Sequence, residues 1–225
     1  AWLRAAKDRP DQAVRGIKQA LGDGPYAAAL RDIFRPRAGA DGNQFTPIQA
    51  ALLRLPFQGF VTTNFDPGLL AARLALRPGI TATGYATHKD HDAVERWNTR
   101  DIFQDHTGPV LFAHGIYERS ESVVLGASEF REAYRTGPYS RLVRNLWAQA
   151  HLVFVGFSFS DAWFTFLANE VLTVTGRRTD VPRHIAILPL DEPYAPFLRE
   201  TFIDQYDAEP LFYPVTRRAD GSSDH

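Results

Sequence analysis

The sequence predicts an α/β fold, a doubly wound Rossmann-like parallel sheet with helices on both faces. Three observations carry that prediction. The runs Phe60–Thr63, Pro109–Ala113, His151–Val155 and His184–Leu188 are continuously apolar, not alternating, as strands buried on both faces are. Between them lie stretches with apolar residues at helical spacing, the alternation that lays crossover helices over a parallel sheet. Several runs end in small polar residues and glycine, where open parallel sheets deliver side chains to a ligand.

The elements follow in order. Residues 1 to about 55 read as helical: Val14, Ile17, Ala20 and Leu21 share one face, and Tyr26, Leu30, Ile33 and Phe34 another, with Gly22-Asp23-Gly24-Pro25 breaking them apart. Arg35 to Asn43 is a loop, and a third helix follows Thr46-Pro47, a cap and a first-turn proline, to about Leu55. After the strand Phe60–Thr63 a helix spans Gly68 to Leu76, and residues 77–107 read as irregular and polar, with short strand-like pieces at best. The strand Pro109–Ala113 ends in His114-Gly115; helices follow from about Ser128 to Arg135 and from Tyr139 to Ala150. His151–Val155 terminates in Gly156-Phe157-Ser158-Phe159-Ser160-Asp161, and the next helix runs to Thr175, closed by Gly176. Strand His184–Leu188, a helix through Phe197 to Gln205 and a final strand Leu211–Val215 complete the pattern. Residues 1–216 form one domain in this reading and 217–225 a polar tail or linker.

Composition excludes several classes. Lysine and arginine total 25 against 26 acidic residues, so no net field attracts nucleic acid or an anionic membrane surface. The absence of cysteine excludes disulfides, thiolate nucleophiles and cysteine-ligated zinc within the chain. No leader pattern and no apolar run of membrane-spanning length occurs, so the expectation is a cytoplasmic protein. Methionine is also absent and Ala1-Trp2-Leu3-Arg4 reads as the middle of a helix, so either the sequence is a piece of a longer protein or methionine-bearing segments are missing from it.

Three strand ends carry the candidate chemistry: Thr63-Asn64-Phe65-Asp66, His114-Gly115 and Gly156-Phe157-Ser158. On one sheet edge they would bring an amide, an imidazole and a Gly-x-Ser turn to a single crevice. Gly115 permits a sharp turn behind the imidazole, and Gly156 lets backbone N–H groups approach a phosphate or ribose. Asn64 and Asp66 have a plainer reading as cap and turn residues. A nucleophile elbow is a poor fit, because Ser160 stands where its second glycine belongs. A metal site built from His88, Asp90, His91 and Asp92 competes with a solvated polar loop. Trp147 and Trp163 read as core residues, and Arg177-Arg178 as a solvated helix end.

The ordered set Thr-Thr-Asn-Phe-Asp, His-Gly, Val124-Leu125-Gly126 through Phe130-Arg131-Glu132-Ala133-Tyr134, and Phe154 to Asp161 resembles the SIR2-like domains of bacterial defence proteins, from about Phe45 to Val215. The resemblance implies a sirtuin fold with NAD bound as substrate and no metal. It implies His114 as the catalytic base and Asn64 as the group contacting the nicotinamide ribose or orienting a water. Thr63, Asp66, Gly115, Gly156, Phe157 and Ser158 would bind the dinucleotide, with Asp191 near the adenosine end. Classical deacylases of this fold carry a four-cysteine zinc module; with no cysteine here, NAD hydrolysis gains ground over deacylation or ADP-ribosyl transfer. The family's opening strand and its Gly-Ala-Gly phosphate loop are missing before Ala1. A non-catalytic NAD or ADP-ribose sensor is the alternative. The resemblance further implies an effector acting in anti-phage defence, as a homo-oligomer or with a fused or partner sensor.

Overall fold

A computed structural model describes residues 10–36, 42–77, 85–104, 108–135, 137–159, 162–175, 182–190, 195–217 and 223–224. It is an α/β structure of parallel sheets and helices, in two compact units, Ala1–Ser140 and Arg141–His225.

The first unit opens with helices α1 (Pro10–Leu21), α2 (Asp23–Phe34) and α3 (Pro47–Arg54). The predicted start of α3 is a reciprocal capping box: the Thr46 hydroxyl accepts from the Gln49 N–H at 3.2 Å, and the Gln49 side chain accepts from the Thr46 N–H at 2.8 Å. Then come β1 (Phe60–Thr62), α4 (Gly68–Leu76), β2 (Tyr85–Thr87), α5 (His91–Asn98), β3 (Val110–Phe112) and α6 (Ala127–Arg135); α7 (Pro138–Gln149) begins at the unit's end. The sheet order is β1-β3-β2, all parallel, with Thr62 and Thr87 both in register with Phe112. As the central strand, β3 has no exposed residue, whereas Val61 on edge strand β1 is 48% exposed. Phe60, Val110, Phe112, Ile116, Leu53, Leu69 and Leu70 form the core.

The second unit holds β4 (Val153–Val155), α8 (Ala162–Thr175), β5 (His184–Leu190), α9 (Ala195–Tyr206) and β6 (Ala208–Pro214), in the parallel order β4-β5-β6. Its core is aromatic: Trp147 packs against Phe154, Phe164 and His184 at centroid distances of 5.4, 4.8 and 5.0 Å, as predicted for Trp147.

Three expectations change. Residues 77–107 hold a short strand, β2, of the kind expected there, and also the helix α5, which was not expected. The three-residue β2 gains its order from pairing with β3, and α5 from burying Val94 and Trp97. The last strand starts at Ala208, before the apolar run at Leu211, because seven residues pair with β5; Pro210 is tolerated because β6 pairs on one side only. In the polar tail Thr216–Arg217 pairs antiparallel with Ser223–Asp224. Asp161, Gly176, Arg177, Arg178 and Asp191 lie outside the described residues.

Candidate functional site

The register of the first sheet aligns the carboxyl ends of all three strands, so the residues leaving them share one edge: Thr63-Asn64 from β1, Ala113-His114 from β3, and His88 from β2. Asn64 is exposed, and its N–H donates to the Thr62 hydroxyl at 3.1 Å, a short local turn that projects the strand end outward. The Asp66 carboxylate accepts from the Gly68 N–H at 2.9 Å, a local turn just ahead of α4.

His114 is half-buried against an aromatic wall. Its ring meets Phe130 edge-on at 5.0 Å and Tyr134 at 6.1 Å, and those two rings stack at 5.8 Å. The main chain around it is held throughout. The Ala113 N–H donates to the Thr62 carbonyl at 2.8 Å, the Val124 N–H donates to the His114 carbonyl at 2.8 Å, and the Gly115 N–H donates to the Phe112 carbonyl at 3.1 Å. Gly115 has φ +83, and a Cβ there would lie 2.0 Å from the Ser122 carbonyl oxygen. Only glycine lets the chain cross so closely behind the imidazole.

Beyond Gly115 the loop is locked by polar bonds. The Ser122 hydroxyl accepts from the Ile116 N–H at 3.1 Å and donates to the Arg119 carbonyl at 2.7 Å. Arg119 donates to both carboxylate oxygens of Asp90 at 2.9 and 2.8 Å, and Asp90 also accepts from the Thr87 N–H and hydroxyl at 2.7 and 2.9 Å. Burial alone would raise the Asp90 carboxyl; the Arg119 guanidinium and the two Thr87 donors outweigh it and hold the carboxyl below its ordinary value. An open hollow of about 500 Å³ beside α2 is lined by Arg31, Asp32, Arg35, Tyr117 and Glu118. The Tyr117 N–H donates to the Phe65 carbonyl at 3.0 Å, tying that hollow to the exit of β1.

His88 is the site-edge residue that the sequence grouped differently. It is 8% exposed, and its ring lies 5.8 Å from that of Tyr139. Burial, then the neighbouring Lys89, pushes its imidazole down to about 4, against the opposing pull of Glu132 and Asp90. The signal available in the sequence was the Tyr85-Ala86-Thr87 triplet before it, too short to read as a strand. With Asp90 committed to Arg119 and Thr87, the metal reading loses a ligand. Among the described residues no group of three or more His, Cys, Asp or Glu side chains could hold a metal ion.

In the second unit Gly156 follows β4 with φ +62, exposed, and a Cβ there would meet nothing within 4 Å. Ser158 is exposed as well. The half-buried ring of Phe157 lies 4.9 Å from that of Phe159 and 4.7 Å from that of Phe164. Phe159 holds φ 54, a left-handed conformation that costs a non-glycine residue about 1–2 kcal/mol.

Parallel α/β sheets that gather polar side chains at their carboxyl edges form the broad class of Rossmann-like ligand-binding domains. A family model described as the SIR2-like domain matches residues 58–211, and the chain belongs to that family. Membership implies an NAD-related function of the sirtuin fold. A comparison with curated proteins found no match. Among the described residues no helix is long and apolar enough to cross a membrane.

Proposed function

We propose that this domain hydrolyses NAD at the bond between nicotinamide and ribose, releasing nicotinamide and ADP-ribose. The observation that carries the reading is the alignment of β1 with β3, which brings exposed Asn64 and the walled imidazole of His114 to the same sheet edge in a SIR2-like chain. Cleavage passes through an oxocarbenium-like transition state, as in glycoside hydrolysis. Nicotinamide leaves neutral, so no strong general acid is required. The protein must hold the ribose, aim a water at its anomeric carbon and take up the proton. An imidazole accepts a proton near neutral pH, and His114 serves as that base, directly or by way of a ribose hydroxyl. Asn64 orients the water or the ribose, with Thr63 beside it. Asp66 supports the turn into α4, and Gly115 supports the loop behind the base. The likeness to bacterial defence proteins supports an effector role, in which an oligomer or an attached or partner sensor controls depletion of NAD.

The complete protein incubated with NAD is expected to release nicotinamide, measured by chromatography. His114→Ala and Asn64→Ala should each lower that release by about 100-fold or more, the usual contribution of a positioned acid–base group, with the circular dichroism spectrum unchanged. Wild-type turnover in either variant defeats the assignment, and intact NAD with measurable binding would make the domain a sensor.

A further inference from the structure

We propose that Tyr139 is a positioning residue for His114, fixing the strand end that carries the imidazole through its hydroxyl bond to the Ala113 carbonyl. The inference rests on His114 being the base of the proposed reaction.

Tyr139 lies in the first turn of α7 and is 3% exposed. Its hydroxyl donates to the Ala113 carbonyl at 2.9 Å. The register of β2 with β3 ends at the Thr87–Phe112 pair, so the Ala113 carbonyl falls just past the described ladder. The Ala113 N–H is already held by Thr62 at 2.8 Å; the tyrosine holds the other side of the same residue, one peptide before His114. The ring acts too. It packs 5.2 Å from Tyr134, whose ring forms part of the wall against His114, and the two hydroxyls lie 3.4 Å apart. One side chain therefore sets both the main chain under the imidazole and the aromatic surface beside it. A phenylalanine would supply the same packing without a buried hydroxyl to satisfy, so the hydroxyl has a task that packing does not explain. Rates fall steeply when a reacting group is displaced even slightly, roughly 100-fold per ångström.

The test is Tyr139→Phe in the complete protein, with two readouts. The first is the NMR titration of the His114 imidazole, assigned with His114→Gln, and it needs no activity. The second is steady-state nicotinamide release. The expected result is a moved His114 titration curve, kcat lower by about ten-fold, KM for NAD within about two-fold, and an unmoved His184. Tyr134→Phe, which keeps the bond to Ala113, should leave the His114 titration near wild type. An unmoved His114 in Tyr139→Phe, or an equal effect from Tyr134→Phe, overturns the proposal. Should Tyr139→Phe fail to fold, 3,5-difluorotyrosine at position 139 keeps the ring and strengthens the donor; a moved His114 titration then supports the role and an unmoved one overturns it. Absence of nicotinamide release by the wild type would refute the proposed function alone, because the titration still decides Tyr139.

Discussion

Replacing Gly115 by alanine tests whether the loop behind the imidazole is as tightly crossed as the geometry requires. The added Cβ would sit 2.0 Å from the Ser122 carbonyl oxygen, 2.3 Å from its carbonyl carbon and 2.7 Å from its hydroxyl oxygen. Two terms add. A left-handed backbone costs an alanine about 1–2 kcal/mol, and forcing a methyl into packed surroundings costs about 1–3 kcal/mol, so the expected loss is about 2–5 kcal/mol. The obstacle cannot swing aside cheaply. Ser122 is held by its N–H to the Arg119 carbonyl at 2.8 Å and by both hydroxyl bonds of its side chain. Gly42→Ala is the internal control: Gly42 has φ +77, yet its Cβ would meet nothing within 4 Å, so it reads the backbone term without the close crossing. Equilibrium unfolding in guanidinium chloride gives both losses. Equal losses, or a loss at Gly115 below about 1 kcal/mol, would refute the close crossing and with it the account of how His114 is held.

Two further outcomes follow from buried charge. Burial, reinforced by charged neighbours, pushes both His88 and His184 down to about 4, so between the ordinary histidine value and that figure the unfolded chain binds more protons than the folded one. Stability is therefore full above about pH 6.5 and falls as pH drops toward 4, by about 1–2 kcal/mol per histidine at pH 5 after allowance for residual solvation; unfolding midpoints measured from pH 7 to pH 4 check this, and a flat profile would contradict it. His88 feels Lys89 and His114 against Glu132 and Asp90, and His184 feels Arg183 and His151, so Lys89→Gln should soften the first and leave the second intact. Asp90→Ala removes the acceptor of Arg119 and of Thr87 and should cost about 1–3 kcal/mol. A double-mutant cycle with Arg119→Ala should return a coupling of about 1 kcal/mol, modest because both side chains are about a third exposed; zero coupling would show the clamp to be idle.

What the sequence made legible follows the size of each signal. The strands at Phe60, Val110 and Val153 announced themselves because buried parallel strands are continuously apolar, and α3 because Thr46-Pro47 spells a cap and a first-turn proline. The turns that leave β1 and β3 were readable because turns that end strands need particular small and polar residues. β2 could not be located from the sequence. Its three residues are ordered by pairing with β3, and no local pattern encodes a neighbour 25 positions away in register, Tyr85 with Val110. For the same reason His88 was grouped with Asp90, His91 and Asp92 by proximity in sequence, although the fold buries His88 beside Tyr139 and commits Asp90 to Arg119. Tyr139 carried no signal either, since its partner is a backbone carbonyl 26 residues earlier.

The two residues proposed for chemistry are built in opposite ways, and the difference suits their tasks. Around His114 the fold has committed backbone groups from three consecutive residues: the N–H of Ala113 to Thr62, its carbonyl to Tyr139, the carbonyl of His114 to Val124 and the N–H of Gly115 to Phe112. A base must be in place before the reaction begins, and here the ordering is complete on folding, so substrate binding need not supply it. Asn64 stands exposed on a turn held by the Thr62 hydroxyl. An orienting amide works through contact with ribose or water, and exposure leaves its side chain open to both. The asymmetry predicts where tolerance lies: packing changes at Phe130 or Tyr134 should disturb turnover through His114, whereas equivalent changes near Asn64 should act through substrate affinity. The opposite division, with wall variants altering KM and leaving kcat untouched, would mean that His114 binds and does not catalyse.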